Sequence, residues 1–292
     1  MIQFTHLHVH THYSILDGMS KVGDLIDKCK RTGMNAIAIT DHGNMFGIKE
    51  LVDTAAKVNG KVKDAIKGLQ KDLKKAEEIC NWDSVEDIKS QIAAKEKEFF
   101  KPIIGCEAYC ARRSLLNKDK DFKTINPENG KEQIVDASGY HLVLLAKNPK
   151  GYENLCKIVS VAWIDGYYRR PRIDKELLEQ YHEGLICCSA CLGGELPQKI
   201  MEGLAAPNSQ GTEAMAEAEK TIEWFKGIFG EDYYIEIQRH QTTKEGADQH
   251  VYQVQREVNP ILVELAKKHG VKVIATNDVH FVEEEHAEAH DH

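Results

Sequence analysis

Several short stretches of the chain carry side chains that bind metals or move protons. His8-Val9-His10, followed by Asp17, comes first. Residues i and i+2 of an extended segment face the same side, so both imidazoles can reach one point. Imidazole and carboxylate are good ligands for Zn, Mn or Fe. A surface histidine run explains the same pattern equally well. Thr40-Asp41-His42-Gly43-Asn44 directly follows the apolar run at 36–39. A polar Asp-His-Gly at the carboxyl end of a buried strand is where βα-barrels put catalytic groups. A cap or turn accounts for Asp41 and Gly43, but leaves His42 unexplained. Asp278 and His280 lie behind another apolar strand and repeat the i, i+2 spacing. Glu107 ends the run 102–106, where a buried carboxylate is costly without a cation beside it. Cys191 follows the strand at 185–189 and could supply a thiolate, although a single Cys is more often a small buried hydrophobe.

If these strand ends share one mouth, they offer more donors than one tetrahedral zinc requires. Two or three divalent metals (Zn, Mn or Fe) are then implied. No P-loop, G-x-G-x-x-G, G-x-S-x-G or H-E-x-x-H occurs in the chain. That weakens nucleoside-triphosphate, dinucleotide, serine-hydrolase and zincin readings. Metal-assisted hydrolysis remains, and phosphate esters are the usual substrates of clustered metals. Arg169, Arg170 and Arg172, beside Tyr167 and Tyr168, could bind phosphate and stack a base. Arg239 and His240 could do the same. Solvated surface charge is an equally ready reading of each.

Positioning such groups requires a particular scaffold. Apolar, β-branched runs recur at 2–8, 35–40, 102–109, 140–146, 184–189, 233–238 and 271–276. Most are near-continuous, as in strands covered on both faces. Helical stripes lie between several of them. After Ser20, a candidate N-cap, Val22, Leu25, Ile26 and Cys29 fall at helical spacing and Gly33 can close the helix. Similar stripes occur at 152–161, 213–225 and 254–268. Alternating strand and helix imply right-handed βαβ units. Seven of them predict an α/β barrel related to the eight-stranded design, with a doubly wound open sheet as the alternative. Residues 57–99 differ: Val62, Ala65, Ile66, Leu69, Leu73, Ala76 and Ile79 make one apolar stripe. Asn81-Trp82-Asp83-Ser84 breaks it, and Val85, Ile88, Ile92 and Phe99 make a second. The pattern predicts an inserted helical hairpin. A solvated insertion without chemistry is its plain reading, and a partner-docking arm the other.

Composition narrows the function classes. The 292 residues carry 38 basic and 46 acidic side chains, a net charge of −8, which disfavours a surface that grips nucleic acid everywhere. A local basic cleft is still compatible with it. An apolar content of 42% with only 21 Gly and 7 Pro excludes disorder and collagen-like sequence. No apolar run approaches the roughly 18–20 residues that span a bilayer, and the opening residues lack the basic and apolar regions expected of a signal peptide. The expectation is a cytoplasmic protein with no membrane partner. Its eight Cys then read as reduced thiols, and Cys188-Ser189-Ala190-Cys191 lacks the second pair of a zinc ribbon.

Taken together, the motifs are specific. His8-Val9-His10 with Tyr13-Ser14-Ile15-Leu16-Asp17-Gly18, then Thr40-Asp41-His42-Gly43-Asn44-Met45-Phe46-Gly47, resembles the opening of a PHP (polymerase and histidinol phosphatase) domain. The closer similarity is to the version at the N-terminus of bacterial replicative DNA polymerase III alpha subunits. Lys101-Pro102-Ile103-Ile104-Gly105-Cys106-Glu107, Tyr140-His141-Leu142, Ala146-Lys147-Asn148, and residues 168–174, 235–240 and 275–281 extend it over the chain outside the hairpin. The resemblance implies a distorted (β/α)7 barrel with a trinuclear metal site at one mouth. It places the ligands on His8, His10, Asp17, His42, Glu107, His141, Cys191, Asp278 and His280. His141 rests on the resemblance alone, because it lies near the start of its strand.

The resemblance further implies that residues 1–292 are one PHP domain, the N-terminal fragment of a longer polymerase subunit serving DNA replication. Its expected activity is hydrolysis of phosphodiesters as a 3′–5′ proofreading exonuclease. Glu107, Asp17 and Asp278 would be catalytic, with Glu107 bridging metals and Asp41 orienting a histidine. The expected partners are a DNA 3′ end, the remaining polymerase domains of the same chain, a separate proofreading exonuclease subunit and other replisome subunits. Two alternatives stand beside this reading: a catalytically silent scaffold that docks that exonuclease, and a small-molecule phosphatase of the histidinol-phosphate type. Polymerase members commonly have only a short helix at 57–99, so the hairpin is a departure.

Overall fold

The stripe Val22, Leu25, Ile26 and Cys29 is buried along one face of helix α1 (Val22–Arg31). Its N-cap is Lys21, without a side-chain bond, rather than Ser20. The Ser20 carbonyl instead accepts from the His12 amide at 3.0 Å, tying the first loop together. α1 leads into β1 (Ala36–Ile39), whose four residues are all buried, as in a strand covered on both faces. The computed structural model describes residues 4–15, 17–206, 209–243 and 249–287. After β1 come α2 (Ile48–Glu78), α3 (Trp82–Glu96), β2 (Lys101–Ala111), β3 (Lys123–Ile125), β4 (Glu132–Ile134) and β5 (Gly139–Ala146). Then follow α4 (Pro149–Ile164), β6 (Arg172–Ile173), α5 (Lys175–Tyr181), β7 (Leu185–Cys188), α6 (Glu195–Ala205) and α7 (Ser209–Phe229). β8 (Tyr233–Gln238), α8 (His250–His269) and β9 (Lys272–Thr276) complete the order.

The main sheet runs β1-β2-β5-β7-β8-β9, with β6 paired to the far end of β2. Its two edges are joined by the chain near the N-terminus. His6 and Val9 carbonyls accept from the amides of Ala38 and Thr40, both at 2.9 Å. On the other side, His10 N donates to Val279 O at 2.7 Å and Val279 N to His8 O at 3.1 Å. Residues 6–10 are therefore the seventh stave of a closed ring, a distorted α/β barrel and not an open sheet. The run expected at 2–8 lies partly outside the described residues, and its described part makes isolated bridges in place of a regular strand.

One stave runs the wrong way. β1–β2, β7–β8 and β8–β9 pair in parallel, but β5 is antiparallel to both β2 and β7. This corrects the expectation of βαβ units throughout. β2 and β5 are joined by a small antiparallel arm, β3–β4, and a connection without a crossover helix returns the chain antiparallel. The arm and β6 leave no mark in the sequence, because such short strands carry no apolar run.

The ring interior is layered. Ala38, Val143, Leu145, Cys188 and Ala190, with Leu7, Ile103, Ile186, Tyr234 and Ile274, form an apolar floor drawn from every stave. A larger core, including Leu144, Leu155, Ile158, Ile222, Phe225 and Ile235, joins the outside of the sheet to the later helices. α2 and α3 make the projecting hairpin, and the Asn81 side chain caps α3 by accepting from Ser84 N. The stem of α2 is held to the barrel by buried Ile48, Leu51 and Ala55 and by paired bonds between Asn59 and the Phe100 backbone. All eight cysteines are free thiols. Among the described residues no helix is long and apolar enough to cross a membrane.

Arg172 is a correction to the proposed phosphate contacts. Its guanidinium is fully buried and donates to the carbonyl oxygens of Gly166 at 3.0 Å, and Asp136 and Leu115 at 2.6 Å. The side chain holds the base of the arm to the end of α4. Arg172→Ala leaves three buried acceptors without their donor, each worth about 1–3 kcal/mol. Urea denaturation is expected to show a loss of about 3 kcal/mol or more; a loss below about 1 kcal/mol contradicts this role.

Candidate metal centre

The reversal of β5 sets its beginning, not its end, at the mouth where the parallel staves finish. His141 therefore stands opposite Tyr109 of β2, and its Nδ1 lies 2.7 Å from Glu107 Oε1. Glu107 sits mid-strand, fully buried, at the centre of the group. Its Oε1 is 3.4 Å from His8 Nε2; its Oε2 is 3.4 Å from His10 Nε2 and 2.5 Å from His42 Nδ1. Cys191 Sγ lies 3.5 Å from His141 Nδ1 and 4.0 Å from Glu107 Oε1. Asp278 Oδ1 is 3.3 Å from His8 Nε2 and 3.2 Å from His10 Nε2. Asp17 Oδ2 approaches His42 Nε2 at 2.9 Å and His280 Nε2 at 3.9 Å. The His10 ring is stacked between those of His42 and His280, at centroid distances of 4.0 and 4.4 Å. All nine expected ligands thus meet in one place.

Three subsets bring donor atoms within 4.8 Å of one another: His10, His42 and His280; His8, His10 and Asp278; and Glu107, His141 and Cys191. Among the described residues, six buried atoms of the cluster make no hydrogen bond, and the contacts they have are with other members of the cluster: His8 Nε2, His10 Nε2, His42 Nδ1, Asp17 Oδ1, Glu107 Oε2 and Asp278 Oδ1. Buried polar groups are normally satisfied, so this convergence fits a site built for cations. Its mixture of imidazole, carboxylate and thiol suits Zn, Mn or Fe.

A second layer fixes the rings. His8 Nδ1 donates to Glu236 Oε1 at 2.7 Å, and that carboxylate also accepts from Gln238 Nε2 at 3.0 Å and from the Thr276 hydroxyl. His10 Nδ1 donates to Ser14 Oγ at 2.9 Å, and Ser14 Oγ donates to Asp41 Oδ1 at 2.8 Å. Both histidines thereby aim Nε2 at the cluster. Asp41 accepts from Thr11 and Ser14, and positions His10 through Ser14. Sequence reasoning gave Glu236 and Ser14 no role. The signal for Glu236 was a charge inside the apolar run Tyr233–Gln238.

The electrostatics follow from the packing. Burial works against a charged His8, but Asp278 and Glu236 prevail and raise its pKa well above the usual value. Burial likewise opposes His42, yet Glu107 and Asp17 push it up to about 10. Glu107 is held well below the carboxylate range by His141 and His42 despite its burial. The Cys191 thiol is pushed well up, by burial first and then by Asp278 and Glu107.

Above the cluster opens a cleft of about 1460 Å³, lined in part by His141, Cys191, Asp278, His280, Arg169, Arg170 and His240. The Arg170 guanidinium lies 4.7 Å over the Tyr109 ring, which is itself stacked 5.9 Å from His42. His240 borders the cleft with its ring fixed, Nε2 donating to Asn277 O at 2.8 Å and Nδ1 accepting from Gln255. Arg239 is a second correction. It points to Tyr252, bonding its hydroxyl at 3.0 Å, and is not part of the cleft wall.

Fold and site define a barrel domain whose mouth gathers metal-competent donors. The profile of the PHP domain matches residues 6–240, and the chain belongs to that family. It is 39% identical over 289 residues to DNA polymerase III subunit alpha of Borreliella burgdorferi and 35% identical over 291 residues to that of Treponema pallidum. Each alignment takes in 99% of this chain and 19% of the relative, so the chain spans about a fifth of the length of the proteins it matches. Among solved structures it is similar to an amidohydrolase from Chromobacterium violaceum, at a TM-score of 0.37 and 12% identity, covering 95% of this chain and 87% of that one.

Metal uptake must displace the protons that His8, His42 and Cys191 carry in the metal-free protein. Affinity for Zn²⁺ or Mn²⁺ is therefore expected to rise as pH increases from 7 to 9, with net proton release. Calorimetric titrations in buffers of different ionisation enthalpy measure both. A pH-independent affinity without proton release contradicts this assignment.

Proposed function

We propose that this chain is a metal-dependent phosphodiesterase that removes nucleotides from DNA 3′ ends, the proofreading part of a replicative DNA polymerase subunit. The observation that carries the reading is the convergence of nine metal-competent side chains at the barrel mouth, six of their buried atoms making no hydrogen bond, directly beneath a cleft edged by arginines. His8, His10, Asp17, His42, Glu107, His141, Cys191, Asp278 and His280 would hold two or three divalent cations. Bound cations would supply Lewis acidity, acidifying water and stabilising the negative charge that develops on the phosphoryl and leaving oxygens. Glu107 faces different histidines with its two oxygens, the arrangement a bridging carboxylate needs. Asp17 and Asp278 stand at the rim and complete the donor set. Arg169 and Arg170 receive the phosphate, since guanidinium and phosphate match as paired donors and acceptors.

The polymerase context rests on relatives that are DNA polymerase III alpha subunits. DNA, the further domains of such a chain and a separate exonuclease subunit are the proposed partners. The test is metal-dependent release of mononucleotides from a 5′-labelled single-stranded oligonucleotide. Asp278→Asn suits the purpose because Asp278 has a left-handed φ of 50°, a conformation Asn tolerates. It is expected to slow release by about 100-fold or more, comparable to losing a key charge-stabilising group. A metal-loaded protein that releases nothing, or a variant equal to wild type, rejects catalysis and leaves a bracing role.

A further inference from the structure

Beside the metal mouth lies an aromatic strip that no core accounts for. Phe46, Trp163 and Tyr167 are 60%, 42% and 47% exposed. Their rings contact one another: Trp163 and Tyr167 are stacked with centroids 5.6 Å apart and planes 20° apart, and Phe46 lies 6.2 Å from Trp163. Exposed aromatics scattered singly need no explanation, but a contiguous patch does.

The strip is built into the loop that carries the metal donors. The Trp163 indole N–H donates to Gly43 O at 2.8 Å, one residue beyond His42. Gly43 has a φ of 61°, and a Cβ there would fall 2.5 Å from Pro171 Cγ, so the His42 loop packs against the segment bearing Arg169 and Arg170. Tyr167 precedes that arginine pair by two residues, and both arginines line the cleft. Aromatic faces, guanidinium groups and metal donors therefore follow one another across a short surface.

We propose that Phe46, Trp163 and Tyr167 form a stacking platform for the bases of single-stranded nucleic acid, feeding its backbone past Arg169 and Arg170 toward the metal mouth. The destination rests on the phosphodiesterase reading; the binding step is separable from it. Aromatic rings stack on any base, so such a platform tolerates sequence. Bases within a duplex have their faces covered by neighbours, so it selects single strands. Cations at one end of the strip match a phosphodiester backbone, which an apolar polypeptide segment would not require.

The experiment uses the full chain, stripped of metal with chelator to prevent turnover, and a fluorescently labelled oligothymidylate read by anisotropy at fixed salt. Tyr167→Ala and Phe46→Ala are each expected to weaken binding about 5- to 100-fold, the cost of losing one stacked base. Tyr167→Phe, which keeps the ring, is expected to bind within about twofold of wild type, because stacking uses the face and not the hydroxyl. Wild-type protein that does not bind the single strand, or alanine variants that bind it as tightly as wild type, overturns the platform. A polypeptide-docking surface would give the second of these results. Turnover of bis(p-nitrophenyl) phosphate by the metal-loaded wild type tests the phosphodiesterase reading separately. Platform-dependent binding without that turnover supports the platform and removes only its catalytic destination.

Discussion

A fully buried carboxylate surrounded by imidazoles is the constraint on which the barrel mouth depends. Glu107 is fully enclosed, yet its charge is favoured because His141, His42, His8 and His10 all face it. In a low-dielectric interior such groups must be paired with one another or with cations. Among the described residues, the arrangement supplies only contacts between the ligand groups, and several of their buried polar atoms make no hydrogen bond. Directly below them lies an apolar layer drawn from every stave, which offers them no polar partner. Clustered donors above an apolar layer suit cation coordination, and they would be a standing cost otherwise.

The fold converts separated residues into this cluster through two devices. Residues 6–10 are pinned between β1 and the tail of β9, so His8 and His10 meet Asp278 although 270 positions separate Asp278 from His8. The reversed β5 brings His141 to the same mouth from the beginning of its strand. Second-layer groups then hold the rings: Glu236 acts on His8, and Asp41 acts on His10 through Ser14. The same loop architecture carries Gly43 and Trp163, which joins the metal mouth to the aromatic strip.

Much of this was legible in the sequence for a simple reason. Polar residues that interrupt apolar runs, as His42 and Asp278 do just past strand ends and Glu107 does within β2, have few roles other than facing a site. The helical stripes and the break at 81–84 were legible because they are local properties, but the first helix begins at Ile48, ahead of the expected 57. What was hidden depends on tertiary contacts. Strand direction is not a local property, so His141 could not be placed by strand-end logic, and the β3–β4 arm that reverses β5 is too short and polar to announce itself. Glu236 looked like part of a hydrophobic run. Arg169, Arg170 and Arg172 share one short stretch, but only Arg172 lies in β6, opposite Tyr109, where pairing draws it into the interior. No sequence periodicity distinguishes it from its neighbours at the cleft.

The most direct test of the central claim is crystallographic. Crystals grown with Mn²⁺ or Zn²⁺ should give anomalous difference peaks at the barrel mouth, within about 2.0–2.3 Å of histidine nitrogen, carboxylate oxygen and the Cys191 sulfur. At least two peaks are expected, with Glu107 contacting more than one. A mouth without peaks at saturating metal, or ions bound only to surface carboxylates, contradicts the account.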